Sequence, residues 1–371
     1  MSRRKKILFS ARDPGAAGHI KALIHYFCAH GRFEVILTAS GVALEMLAQE
    51  GLEPIPFHLP GGIDSIQPGQ DPGLLLQEAK GLLDRLQPDA VLTSLSSLGV
   101  GIDEALLATA EVPTFALQDF WGDVNLGLGV PADLYLVMDD FAAELSRKRW
   151  GVKALAVGAP KYTLYEHLDI MALRRETRGM LGAKPDDRVI GWFGQSPDIP
   201  GHEEVWQDFL RALTRVPGKP KLVLMEHPKS RHMRHQHVEM AATMGLTVVE
   251  ATESRTTEDW LAACDLVVTV FSLCGLDHAF LSAYSPRPLG CVLYLATNEP
   301  VRRFIVELAG ISQFPIIGQG IGGLVENPAE IAAAIRHLLT QDAVNDYHAK
   351  SKGLSARDPL AAIADCLTAW D

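Results

Sequence analysis

The chain has 371 residues, 47% of them hydrophobic and 21% charged, and a formal net charge of −11. That length predicts two domains, and the composition excludes a disordered chain. The acidic balance excludes a general nucleic-acid binder, which needs a basic surface to neutralise phosphates. The N-terminal MSRRKK is a local basic cluster, read as a solvated end with peripheral membrane contact at most. No run approaches the roughly 18 apolar residues of a membrane helix. The first apolar run breaks at ILFSARDPG, so no signal peptide is expected and a cytoplasmic location is. Five scattered cysteines, in no metal or redox spacing, predict reduced packing thiols and no metal site.

In chain order, KILFSA reads as a strand, HIKALIHYFCAHG as a helix, FEVILTAS as a strand and GVALEMLAQEG as a helix. After a Pro/Gly-rich stretch come the helix GLLLQEAKGLLDRLQ, the strand DAVLTSLS, the helix GIDEALLATAE and the strands PTFALQD and DLYLVMD. Strands alternating with helices of this length predict βαβ units and a parallel, doubly wound sheet. The pattern then restarts. VKALAVGAPKYTLYEHL gives a short strand and a helix-prone linker. The strands DRVIGWFGQS, KLVLMEHP, LTVVEAT, DLVVTVFS and CVLYLAT follow, with helices EEVWQDFLRALTRV, EDWLAACD and PAEIAAAIRHLLTQ among them. The expected organisation is an N-terminal Rossmann-like domain over 1–160, a linker over 161–182 and a second Rossmann-like domain over 183–350. A terminal helix lies in 351–371. Two such sheets are expected to face a cleft at their C-terminal edges, where ligands of open α/β sheets bind.

The turn FSARDPGAAGHIKAL contains Gly15 and Gly18 but neither the G-x-G-x-x-G fingerprint nor a Walker lysine, so no NAD or ATP cofactor is expected there. His19, placed at the helix start, is a candidate acceptor of a proton from an attacking hydroxyl, because a helix N-terminus keeps an imidazole neutral. The alternative is that the glycines only allow close packing and His19 caps the turn. Asp13 is the nearby second candidate, ionised at neutral pH. Asp119, at the end of PTFALQD beside Gln118 and Trp121, is a further acid/base candidate or a plain loop carboxylate.

In the second half, Gly194, Gln195 and Ser196 follow a strand directly. His227 ends KLVLMEHP and is a candidate phosphate contact. The basic residues after it, with His232, His235 and His237, are read as a solvated loop and helix face. Ser272 and the backbone around Cys274 and Gly275, at a strand-to-helix turn, form a candidate diphosphate cradle. Asp277, one turn further, could accept from a ribose diol or serve the helix dipole. The loop around Thr252 to Thr257 would flank the base.

These residues resemble the GT-B superfamily, the two-domain nucleotide-sugar glycosyltransferases and the related UDP-GlcNAc 2-epimerases. ILFSARDPGAAGHIKAL resembles the N-terminal loop of the peptidoglycan UDP-GlcNAc transferase, keeping Gly18-His19 and Ala22-Leu23 while DPGAA replaces its earlier glycines. LAVGAP resembles the interdomain Val-Gly-Asn-Pro segment, with Ala159 for Asn. KLVLMEHPKSR resembles the strand ending His-Pro of epimerases and polyol-phosphate transferases. TTEDWLAACDLVVTVFSLCGLDHAFL resembles the segment that places a phosphate-binding serine at Ser272 and a ribose-binding acid at Asp277; Leu273-Cys274 replace a Gly-Gly pair.

The resemblance implies two Rossmann-like domains with the C-terminal helix crossing back to the first. It implies a nucleotide-sugar donor held by the second domain and a sugar or lipid-linked acceptor over the first. The implied activity is inverting, metal-independent glycosyl transfer in surface polysaccharide or glycoconjugate synthesis. Alternatives on the same fold are a nucleotide-sugar 2-epimerase or hydrolase, a transferase using a CDP-linked polyol phosphate, and a non-catalytic binding protein. The epimerase pattern needs several first-domain acids and an Arg-Arg-Glu-Asn-type loop. SLSSLGVG and GQSPDIPGHEE do not supply these at the expected places, which favours transfer.

Overall fold

The computed structural model describes residues 3–67, 69–95, 99–197, 199–252 and 254–370. Parts of several sequence expectations lie outside them: Met1 and Ser2 of MSRRKK, Pro68 of the Pro/Gly-rich stretch, residues 96–98 of SLSSLGVG (96 also ending DAVLTSLS), Asp198 of GQSPDIPGHEE and Glu253 of the loop over 252–257. The chain forms two compact units, Met1–Leu164 with Arg357–Asp371, and Tyr165–Ala356.

Strands of the first unit are β1 (Lys6–Ala11), β2 (Glu34–Ala39), β3 (Ile55–Pro56), β4 (Ser65–Ile66), β5 (Ala90–Ser94), β6 (Val100–Gly101), β7 (Thr114–Leu117), β8 (Leu134–Val137) and β9 (Ala154–Ala156). Helices α1 (Pro14–His30), α2 (Gly41–Gln49), α3 (Gly73–Leu86), α4 (Ile102–Thr109) and α5 (Asp140–Trp150) connect them. Seven strands make a parallel sheet in the order β3-β2-β1-β5-β7-β8-β9, and β4 pairs with β6 in a small antiparallel ribbon. The period-2 geometry of a strand sends alternate residues of β1 to opposite faces. Ile7 and Phe9 join the core under α1, whereas Leu8 joins the core formed with α3 and α4. The order reverses between β1 and β5, so the loops after them part and leave an opening at the C-terminal edge.

The second unit contains α6 (Ile170–Met180), β10 (Val189–Phe193), α7 (His202–Leu213), β11 (Lys221–Met225), α8 (Arg234–Thr243), β12 (Val248–Glu250), α9 (Thr257–Ala263), β13 (Leu266–Thr269), α10 (Cys274–Tyr284), β14 (Cys291–Leu295), α11 (Glu299–Ala309), α12 (Pro315–Gly318), β15 (Gly323–Val325), α13 (Ile331–Leu338) and α14 (Gln341–Ser351). Its parallel sheet runs β12-β11-β10-β13-β14-β15, the doubly wound order, with the switch between β10 and β13. On one face of β10, Trp192 stacks on Phe209 of α7 at 5.1 Å.

Three local findings differ from the sequence expectation. Helix α1 starts at Pro14, with Pro at its first position and Asp13 as N-cap, so His19 lies in its second turn and not at its start. The stretch expected as a helix-prone linker belongs from Tyr165 onward to the second unit: Pro160–His167 is a 3₁₀ helix, and α6 packs on α9 there. The crossover begins at Arg357, because Lys352–Ser355 is still a 3₁₀ turn of the second unit. The last helix, α15 (Pro359–Ala369), puts Ile363, Ala364 and Leu367 into the core under α1. Ile363 is fully buried there, so Ile363→Ala should lower the unfolding free energy by about 2–4 kcal/mol. Urea unfolding checks this; a midpoint equal to wild type would mean α15 does not complete the first core.

Candidate active site

In the first unit the candidate residues gather at the N-terminus of α1. Strand β7 ends at Leu117, and the following turn brings Asp119 against Gly15, where an added β-carbon would sit 2.6 Å from Asp119 Oδ2. Glycine is needed at position 15 for that close approach. Burial raises the Asp119 pKa from 3.8 to about 7, with further contributions from Asp123 and Asp13. Asp123 is raised to about 6, first by burial and then by Asp13, against the pull of Arg149. Asp13 and Asp123 therefore make Asp119 harder to ionise, and Asp13 does the same to Asp123. The Gln118 side chain is engaged beside these acids, its Nε2 donating to the Asp123 backbone carbonyl and to the Ser146 hydroxyl.

His19 has a different setting. It is 3% exposed, and its Nδ1 accepts the Lys161 backbone N–H at 3.2 Å. A neutral ring with Nδ1 so occupied carries its proton on Nε2, which leaves no lone pair for a substrate proton. Burial, then the charge of Lys161, lowers its pKa to about 3. Gly18 lies one residue before it, against the Lys161 side chain, 3.2 Å from the place of an added β-carbon. His19 and Gly18 thus pack the segment around Lys161 onto α1. A second acidic group lies close in space though far away in sequence: Ser10 pairs with Asp103, Arg12 Nη2 lies 3.7 Å from Glu104 Oε2, and Glu104 accepts from the Gly101 N–H and the Asn125 amide.

In the second unit the candidates flank the switch point. A side chain at Gly194 would crowd Glu226 Oε2 at 3.1 Å and the His227 nitrogen at 3.2 Å, so glycine lets the ends of β10 and β11 come together. Gln195 ties this loop to the next: its Oε1 accepts the Phe271 N–H, and its carbonyl accepts the Ser230 hydroxyl. Ser196 follows in the same loop. His227 caps the 3₁₀ turn Pro228–Met233, its Nδ1 accepting the Lys229 N–H. That bond places the ring proton on Nε2, a donor suited to an anionic oxygen.

Ser272 Oγ accepts the Cys274 N–H and its carbonyl accepts the Gly275 N–H, so two donors of the expected cradle are already capped by this serine. Gly275 serves packing: a β-carbon there would strike the Tyr294 hydroxyl. Asp277 is 5% exposed inside the first turn of α10. Thr252 lies in the loop after β12, its hydroxyl bonded to Ser254 and its carbonyl to the Trp260 indole.

One feature was missed in the sequence. His237 was expected on a solvated face, yet it is 3% exposed, because α8 turns it inward between two carboxylates. Its Nδ1 lies 2.6 Å from Glu226 Oε1 and its Nε2 2.8 Å from Glu203 Oε2, while His202 Nε2 approaches Glu203 Oε1 at 2.9 Å. Burial opposes a charge on His237, but the two carboxylates prevail and raise its pKa from 6.5 to about 9. Hydrogen bonds from His202 and His237 lower that of Glu203 to about 2. The clamp joins α7, α8 and the end of β11 just before His227. Adjacent Glu226-His227 and His202-Glu203 pairs were the available signal. Among the described residues, no group of three or more His, Cys, Asp or Glu has a metal-binding arrangement.

Because folding raises the His237 pKa, its stabilisation is complete below about 6.5 and is lost as the pH rises through about 9. Wild-type protein should therefore lose thermal stability across that upper range. His237→Gln should be about 3–5 kcal/mol less stable at neutral pH, with two carboxylates left facing one another, and should lack that alkaline fall. Melting curves at several pH values check both; parallel pH profiles would refute the clamp.

No protein-family model and no curated protein matches the chain by sequence. Solved structures do match by shape. The UDP-GlcNAc 2-epimerase of Neisseria meningitidis, bound to UDP-GlcNAc, superposes with a TM-score of 0.63 at 12% identity, covering 98% of each chain. MurG of Acinetobacter baumannii gives 0.62 at 11% identity over 99% of each. HepE of Anabaena, in complex with UDP and glucose, gives 0.63 at 15% identity over 99% of this chain and 100% of that one. The chain therefore has the fold of the GT-B superfamily.

Proposed function

We propose that the chain is a nucleotide-sugar enzyme, an inverting and metal-independent glycosyltransferase, with Asp119 as the general base. The observation that carries this reading is the carboxylate of Asp119, partly desolvated at a strand end with its pKa near 7. A base must be strong enough to take a hydroxyl proton and still be ionised at working pH, and a value near neutrality serves both needs. Asp13 and Asp123 act through their negative charge, which raises Asp119. His19, with Nδ1 occupied, is assigned to positioning Lys161.

In this reading the second unit holds the donor. His227 Nε2–H and the Ser272 hydroxyl meet diphosphate oxygens, and the Gly194–Ser196 loop gives room for them. Asp277 is assigned to the ribose and the loop from Thr252 to the base. The oxygen of the acceptor forms a bond to the anomeric carbon as the bond to the nucleoside diphosphate breaks, and the acceptor proton passes to Asp119. Support comes from the shared fold and from the UDP and UDP-GlcNAc seen in the Anabaena and Neisseria structures.

The same patch also suits a 2-epimerase or hydrolase, since two adjacent carboxylates with raised pKa, Asp119 and Asp123, can both take and return a proton. One incubation with UDP-GlcNAc separates the readings. Transfer releases UDP only when an acceptor is added; epimerisation inverts C2 and exchanges its hydrogen with solvent without any acceptor.

For the proposed transfer, Asp119→Asn should lower kcat by about 100–10,000-fold with little change in donor KM. Wild-type kcat/KM should fall as the pH drops below about 7, where Asp119 takes up a proton. Steady-state kinetics check both. An Asp119→Asn enzyme with full rate and the same pH profile would overturn the assignment.

A further inference from the structure

We infer that the second unit carries a separate anion site, built for a phosphate-bearing ligand, at the opposite end of its sheet from the proposed nucleotide loops. An open surface depression of about 470 Å³ is lined by Met171, Arg174, Arg175, Arg178 and Arg287. Arg174 and Arg178 are fixed by Asp265: Arg174 Nη2 donates to Oδ1 at 2.5 Å and Arg178 Nη1 to Oδ2 at 3.0 Å. They also donate to the carbonyls of Ala262, Cys264 and Ala263, at the C-terminus of α9. Asp265 itself accepts the Val189 N–H, which places the depression at the N-terminal ends of β10 and β13. Gly194 and Ser272 lie beyond the other ends of those strands, a strand length of about 16 Å away.

The charge in this depression is not balanced. Four guanidiniums line it and one carboxylate, Asp265, is shared by two of them. Arg175 and Arg287 are exposed, and neither guanidinium is among the ion pairs or side-chain hydrogen bonds of the described residues. Glu176 on the same helix is taken by Arg255, and Lys352 adds a further cation by donating to the Ala283 and Ser285 carbonyls beside Arg287. Like charges held together cost energy that a bound anion recovers. The planar fork of Arg matches phosphate oxygens in pairs. The volume exceeds that of one phosphate and falls in the range of small-ligand sites. The ligand class is thus a diphosphate-sized polyanion, either soluble or carried on a lipid headgroup.

The test uses the full chain and two probes, inorganic pyrophosphate in calorimetry and vesicle flotation with phosphatidylcholine alone or mixed with phosphatidylglycerol. The exposed Arg175→Ala/Arg287→Ala double variant is compared with wild type, and Ser272→Ala serves as the control at the nucleotide loops. Saturable pyrophosphate binding that weakens by about tenfold or more in the double variant, and not in Ser272→Ala, supports a soluble ligand. Flotation only with the anionic vesicles, lost in the double variant, supports a headgroup. Binding of neither probe, or binding equal in wild type and the double variant, overturns the inference. The outcome is independent of whether the chain transfers sugar, because the Ser272→Ala control separates pyrophosphate bound at the nucleotide loops from pyrophosphate bound by Arg175 and Arg287.

Discussion

The contact between Asp119 and Gly15 is the constraint on which the first unit's chemistry depends. A parallel sheet delivers its strand ends to one edge, and the N-terminus of α1 sits on that edge beside the loop after β7. With no side chain at position 15, the Asp119 carboxylate can press against the helix start. It is thereby removed from water, and the charge of Lys161 offsets that only in part. Asp13 and Asp123 stand near enough to resist its ionisation further. The geometry that makes a tight turn also makes a carboxyl that titrates near neutrality.

The second unit solves a different problem. The ends of β10 and β11 approach closely at Gly194, and that approach brings Glu226 to the rim of the proposed donor site. An isolated carboxylate there would repel a diphosphate. His237 answers it with a buried positive charge, shared with Glu203. The clamp also anchors α7 and α8 to the strand end, so His227 next to it is held by the same network. Capping by Ser272 and packing of Gly275 against Tyr294 show that the turn into α10 is largely self-satisfied, which leaves His227 and the Gly194–Ser196 loop more of the anion contact.

Much of the fold was legible in the sequence because apolar strands of five or six residues, such as KILFSA and VIGWF, alternate with amphipathic helices. The elements that were not legible have physical reasons. Helix α5, DFAAELSRKRW, is charged around most of its surface, and α14, QDAVNDYHAKS, buries little beyond Tyr347 and Ser351. Strand β15 has three residues and pairs on one side only. At the site, Asp119 was readable as a strand-end carboxylate, but its contact with Gly15 follows from strand order, over a hundred residues apart in sequence. His19 was misplaced by five residues of helix start, since Pro14 opens α1 and carries the histidine inward. His237 lies in a basic run whose local pattern says solvent; only the folding of α8 over β11 turns it to Glu226.

The chemistry proposed for the first unit rests on a carboxyl whose ionisation is delayed by its surroundings, and that property can be read without any substrate. Carbon-13 NMR of labelled aspartate, with Asp119→Asn to assign the signal, follows the Asp119 carboxyl through a pH titration. A midpoint near 7 is the predicted result, and a midpoint near the ordinary 3.8 would contradict it.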